Sequence, residues 1–257
     1  MDLEKVKRVG IGAAYQGGKI LLSHFGKISK ISKKGAIDLV TEADIKSEKR
    51  INAIIQRNFP DHSILSEETG LKRGRTKYQW IIDPLDGTTN FAHNVGQFAV
   101  SIAFAADGNV LVGVVLNPIT GELFTAVIGE GAELNGRPIK VSNSEVVQES
   151  LLATGFPYNF KEKIQPVMTR FENCLKASQG VRRLGSAALD LCFVACGRFD
   201  GFWEQNLNPW DTAAGFRIGS EAGAVTTDFA NKPFAIEGNE ILATNGKIHK
   251  EMLSILN

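Results

Sequence analysis

Leu3, Val6, Ala13, Gly17, Ile20, Leu21 and Phe25 recur at steps that place them on one helical face, which predicts an amphipathic helix over 3–25. The polar, Gly-containing stretch 30–37 reads as a loop. Thr41-Glu42-Ala43-Asp44 has capping-box spacing and opens a second predicted helix, whose apolar face is Ile45, Ile51, Ile54, Ile55 and Phe59 and whose stop is Pro60. The pattern then changes. Residues 78–82, 98–104, 110–117 and 122–127 are short, β-rich and separated by Asp-Gly, Pro and Gly signals, so an antiparallel sheet is expected there. Beyond Gly136, helical patterns around 161–178, 186–197 and 211–222 alternate with candidate strands at 151–154, 199–204, 224–228 and 240–244. That alternation predicts α/β layers. The shift near 136–150 divides the expectation into an α+β half, 1–140, and an α/β half, 141–257.

Composition narrows the class. A chain of 257 residues with 43% apolar content can bury one large core or two joined halves. Lys and Arg number 29 against 28 Asp and Glu, so net charge gives no case for nucleic acid or an anionic membrane as partner. No stretch approaches the ~20 apolar residues of a membrane span. The opening Met1-Asp2-Leu3-Glu4-Lys5 is charged and unlike a secretory leader. Three cysteines, Cys174, Cys192 and Cys196, form an odd set that fits a reducing compartment, and a cytoplasmic location is expected. Cys192 and Cys196 lie four apart with none of the four histidines near in sequence, so they read as packing residues and not as a metal site.

The most informative string is Trp80-Ile81-Ile82-Asp83-Pro84-Leu85-Asp86-Gly87-Thr88-Thr89-Asn90. An apolar strand runs into two carboxylates bent by a proline, then into a Gly-Thr-Thr that can start a helix. Mg²⁺ prefers a few carboxylates plus water and phosphate oxygen, which suits Asp83 and Asp86; backbone N–H groups of Gly87 and Thr88 would receive an anion. A bare Asp-x-x-Asp is as readily a solvated β-turn, and only the full string argues otherwise. Glu67-Glu68, after the short apolar run Ser63-Ile64-Leu65-Ser66, reads alone as an exposed loop, and Asp211 in Pro209-Trp210-Asp211 reads alone as a helix cap.

Together these segments resemble the inositol monophosphatase family of Mg²⁺-dependent, lithium-sensitive phosphatases over nearly the whole chain. Asp83-Pro84-Leu85-Asp86-Gly87-Thr88 is similar to its central motif and Trp210-Asp211 to its later one. The resemblance implies a layered αβαβα sandwich in the α+β class. It implies that Glu67, Asp83 and the Leu85 carbonyl hold a first Mg²⁺ and that Asp83, Asp86 and Asp211 hold a second. Two or three ions per site are implied, with Mn²⁺ able to substitute. Glu68 is left as a neighbour. Asp44 and Thr88 would orient the attacking water, and Lys33, beside Lys34, matches a mobile-loop lysine. Asp86, Gly87, Thr88, Asp211, the turn Gly185-Ser186-Ala187 and Glu204 would contact substrate, Ser186 standing where Thr is commoner. Arg182 and Arg183 read as second-phosphate contacts, interface residues or structural ion-pair partners. The implied substrate is a small phosphorylated cyclitol or sugar, inositol 1-phosphate first. Fructose 1,6-bisphosphate, possible as a second activity, and 3′-phosphoadenosine 5′-phosphate are the alternatives. A homodimer is implied. A regulatory protein contacting RNA or transcription machinery is the alternative of another class.

Overall fold

A computed structural model describes residues 1–27, 31–33, 39–157 and 164–257, the backbone alone for 31–33 and 39–41. Helix α1 (Leu3–His24) leads to a two-stranded hairpin, β1 (Ile31–Lys33) with β2 (Leu39–Thr41), and then to α2 (Glu42–Asn58). Within the loop expected over 30–37, residues 31–33 are instead a strand: Ile31 and Lys33 pair with Thr41 and Leu39. Residues 34–38, including Lys34, and the Lys33 side chain lie outside what is described.

Strands β3 (Ser63–Ser66), β4 (Gly70–Lys72) and β5 (Tyr78–Asp86) precede a short helix α3 (Thr88–Ala92). They are followed by β6 (Ala99–Ala106), β7 (Asn109–Asn117), β8 (Glu122–Val127), β9 (Gly131–Leu134) and β10 (Arg137–Ile139). These eight form one sheet in the order β10-β9-β8-β7-β6-β5-β3-β4, antiparallel except where β3 runs parallel to β5. The second half runs β11 (Leu151–Thr154), α4 (Ile164–Ala177), β12 (Gly180–Arg182), α5 (Ala187–Ala195) and β13 (Gly201–Gln205). It ends with α6 (Pro209–Ala222), β14 (Val225–Thr227), β15 (Glu240–Thr244) and α7 (His249–Leu256). Its five strands order as β12-β11-β13-β15-β14.

Three packed cores stack these elements into five layers, the expected αβαβα sandwich. Val6, Ala14, Leu21, Ile51 and Ile55 of α1 and α2 pack on Trp80, Ile82, Val100, Ile102 and Phe104 of the large sheet. On its other face Ala99, Ala103 and Ala105 meet α5 and α6, which pack in turn on Ala153 and Phe202 of the small sheet. Leu152, Trp203 and Leu242 close against Cys174 of α4 and Met252 of α7. Burial pushes the Cys174 thiol up to about 12, which makes it an inert core residue. Cys192 is buried and Cys196 half-buried, both as free thiols.

Strand β6 shows how side-chain size sets the layer spacing. Its large residues face α1 and α2, and its alanines face α6. Gly113 on β7 continues the small face: a Cβ there would stand 2.5 Å from the Ala214 carbonyl of α6. Close approach of α6 carries its first turn, with Asp211, to the sheet. The apolar face expected for α2 needs one correction: Ile45 is 55% exposed, and the positions turned inward near it are Asp44, Ser47 and Glu48. None of the helices among the described residues is long and apolar enough to cross a membrane.

Candidate active site

Parallel pairing of β3 with β5 sets Ser66 opposite Ile82, so the next residue of each strand, Glu67 and Asp83, come side by side. The Glu67 N–H continues the ladder by donating to the Ile82 carbonyl at 3.2 Å. Between Asp83 and Asp86 the β5–β6 register shifts, a bulge that Pro84 fits because it has no N–H to offer a ladder. The bulge is held from within: the Leu85 N–H donates to Asp83 Oδ1 at 2.9 Å. Gly87, in the left-handed region at φ 95°, then turns the chain into α3.

Three helices close on this bend. Ser101 of β6, paired with Asp83, donates through Oγ to the Trp210 carbonyl at 3.3 Å and ties the start of α6 to the sheet. Asp211 there does cap its helix, accepting the Asn208 N–H on Oδ2 at 2.7 Å, yet it is also buried beside the other acids. Ser186 caps α5 and donates to Asp86 Oδ2 at 2.5 Å, where the Ala188 N–H also arrives at 2.8 Å. From α2, Asp44 Oδ1 lies 3.3 Å from Thr88 Oγ1, which is 3.0 Å from the Leu85 carbonyl. Asp211 is thus both a capping side chain and a buried neighbour of the other acids.

Burial is the first cause that raises the Asp83 carboxyl well above the usual carboxylate range, and the charges of Glu67, Asp86 and Asp211 raise it further. Asp211 is raised by burial and then by Asp86 and Glu67. Burial lifts Asp86 to about 6 against the hydrogen bonds from Ser186 and Ala188 that favour its charge. Four acids from three segments thus come together, the charges of Glu67 and Asp86 opposing the ionisation of both Asp83 and Asp211. Among the described residues no three His, Cys, Asp or Glu side chains are already drawn together as an ion-binding cluster. The donor set nonetheless fits Mg²⁺: hard carboxylate oxygens repel one another in a buried place, and Asp83 and Asp211 each accept their hydrogen bond on one oxygen, leaving the other to a cation.

Glu204 of β13 is buried, and burial pushes it up to about 8, with Arg183 opposing. Its carboxyl lies against Gly155, where a Cβ would collide with Oε2. Only glycine leaves that space. Gly185 and Ala187 flank the buried Ser186 at the start of α5, and Gly87 sits near the Gly185 carbonyl. Arg183 and Arg182 are both exposed; Arg183 holds its guanidinium 5.6 Å from the Phe156 ring centre and lowers both Asp86 and Glu204, while Arg182 ends the edge strand β12. Lys33 contributes only its backbone to this description.

Sequence reasoning passes over Asp190, Ser47, Glu48 and Gly155. Asp190 is buried in α5 with no hydrogen-bond partner for its Oδ1 among the described residues, and burial, then Glu204 and Asp86, raise it well above the usual range. A signal for it exists: one acid in the otherwise apolar run Ala187–Ala195.

A sequence model of the inositol monophosphatase family matches residues 2–257. A protein of Synechocystis named inositol-1-monophosphatase is 46% identical over 257 residues, covering 99% of this chain and 90% of that one. One from Haemophilus influenzae named Nus factor SuhB is 43% identical over 251 residues, covering 96% and 93%. The solved structure of an inositol monophosphatase from Anabaena superposes with a TM-score of 0.91 at 42% identity, covering 100% of this chain and 96% of that one. The chain belongs to the inositol monophosphatase family of Mg²⁺-dependent phosphatases.

Proposed function

We propose that this protein hydrolyses inositol 1-phosphate to inositol and phosphate, with Glu67, Asp83, Asp86, Asp211 and the Leu85 carbonyl as the oxygen donors for Mg²⁺. The observation that carries the reading is the meeting of those four acids beside the Thr88–Asp44 pair. When bound, Mg²⁺ supplies positive charge to the phosphate and the leaving oxygen and makes a water more acidic. Thr88 and Asp44 would hold that water in line with phosphorus. Backbone N–H groups of Gly87 and Thr88 would hold the phosphate, and Ser186, by fixing Asp86, would keep the α5 turn Gly185-Ser186-Ala187 against the substrate. A bond forms from water oxygen to phosphorus, the bond from phosphorus to the cyclitol oxygen breaks, and that oxygen leaves as a hydroxyl after taking up a proton. Lys33 is proposed as a further residue of the site on the family resemblance alone.

Glu204 would receive a cyclitol hydroxyl. Glu204→Ala is expected to lower kcat/KM for inositol 1-phosphate by about 10-fold, the size of one lost hydrogen bond to a neutral carboxyl, and to leave p-nitrophenyl phosphate hydrolysis within about threefold. The test of substrate is phosphate release from inositol 1-phosphate, fructose 1,6-bisphosphate and 3′-phosphoadenosine 5′-phosphate, each with and without Mg²⁺. Preference for either alternative, by kcat/KM, would replace inositol 1-phosphate in this proposal.

The name of the Haemophilus influenzae relative, Nus factor SuhB, supports a second reading, a transcription-related role. A stable complex with purified transcription machinery, retained by a variant that releases no phosphate, would establish it. We take the protein to act as a homodimer in the cytoplasm, which size-exclusion chromatography with light scattering and cell fractionation would check.

A further inference from the structure

We propose that Glu48 is a positioning residue that sets the divalent-cation affinity of the site by fixing Glu67 from both sides. This rests on the reading of Glu67 as a cation ligand. Glu48 is buried on α2, one turn beyond Asp44. Its Oε2 accepts the Ser66 hydroxyl at 2.6 Å and the Glu68 N–H at 2.8 Å, the residues immediately before and after Glu67. The ladder to β5 holds the Glu67 N–H, and β3 ends at Ser66 with a turn after it. Glu48 supplies a hold on Glu68 beyond the end of that strand.

The same helix face does this twice more. Ser47 donates to the Pro84 carbonyl at 3.2 Å, between Asp83 and Leu85, and Asp44 pairs with Thr88. Positions 44, 47 and 48 follow helical spacing, so one rigid element touches the three separate segments that carry Glu67, Asp83 and Thr88. A buried carboxylate costs stability unless its oxygens are bonded, and an apolar residue would fill this place in the core at lower cost. The two bonds it makes go to the backbone and side chain that flank a ligand. That placement matches an outer group that orients a ligand, whose loss weakens metal binding about 10–100-fold.

The test is Mn²⁺ titration, followed by electron paramagnetic resonance, of metal-free wild type, Glu48→Gln, Glu48→Leu and Ser66→Ala at one pH. The amide oxygen introduced by Glu48→Gln can accept both bonds, so this variant should bind Mn²⁺ within about threefold of wild type. Glu48→Leu should weaken it about 10–100-fold, and Ser66→Ala up to about 10-fold, the loss of one bond. In both weakened variants kcat at saturating Mg²⁺ should recover toward the wild-type value while the Mg²⁺ requirement rises. Folded Glu48→Leu with wild-type Mn²⁺ affinity would overturn the proposal. Should Glu48→Leu fail to fold, wild-type affinity in Ser66→Ala would overturn it. Wild type that binds no Mn²⁺ would instead overturn the phosphatase reading beneath it.

Discussion

Asp83→Asn is expected to lower Mg²⁺-dependent phosphate release by at least about 10³-fold, equal to roughly 4 kcal/mol of transition-state stabilisation. It is also expected to raise the melting temperature of the metal-free protein. Both effects come from one charge. Asparagine keeps the shape and can still accept the Leu85 N–H on its oxygen, so the bulge survives. What disappears is a buried carboxylate that Glu67, Asp86 and Asp211 all repel. With it goes the ligand proposed to be shared by both cations. Each 1 kcal/mol of relieved repulsion corresponds to about 2–4 °C in a chain of this size. Steady-state kinetics and a thermal melt in chelator check the two halves separately. Loss of activity with a lower melting temperature would mean that Asp83 is structural.

The second large effect is the response of stability to pH and Mg²⁺. Burial raises Asp86 to about 6 and Glu204 to about 8, both above the ordinary carboxylate value near 4. The native state therefore keeps protons that the unfolded chain releases, and stability falls as pH rises. This contribution is fully present below about pH 4 and is lost as pH passes through about 6 for Asp86 and about 8 for Glu204. On the proposed ligand set, Mg²⁺ would compete with the proton on Asp86 and not on Glu204. Melting curves should accordingly show Mg²⁺ erasing the decline near pH 6 and leaving the one near pH 8. At one hundred times its Kd the ion should add about 2.7 kcal/mol, or roughly 5–10 °C, at pH 7.5, and less at pH 5. A Mg²⁺ effect independent of pH would contradict this assignment of Asp86.

Much of this site is legible in the chain. Strand β5 and the acids at its end stand out because a long apolar run meets Asp, Pro, Asp and Gly within a few residues. Both long N-terminal helices follow from periodicity, ending within a residue or two of the expected places. What stays hidden depends on contacts distant in sequence. Strands covered on both faces show no alternation, so the division of β6 into an alanine face and a large face needs the layers above and below to be known. Parallel pairing of β3 and β5 is likewise invisible, although it is what sets Glu67 beside Asp83. Ile45 reads as inward because it is apolar; the polar Asp44, Ser47 and Glu48 take that face because the site offers each a bond. The local capping signal points correctly to Asp211 but says nothing of the acids it is buried beside. Gly155 carries no signal at all until Glu204 is seen lying against it.

The central claim is that acids far apart in sequence form one cage for divalent cations. Anomalous diffraction from crystals soaked in Mn²⁺ tests it most directly. The account expects strong peaks bounded by Glu67, Asp83, Asp86 and Asp211, with the Leu85 carbonyl oxygen on the coordination shell of one of them. A map with no peak there, and those four side chains turned away from one another, would contradict it.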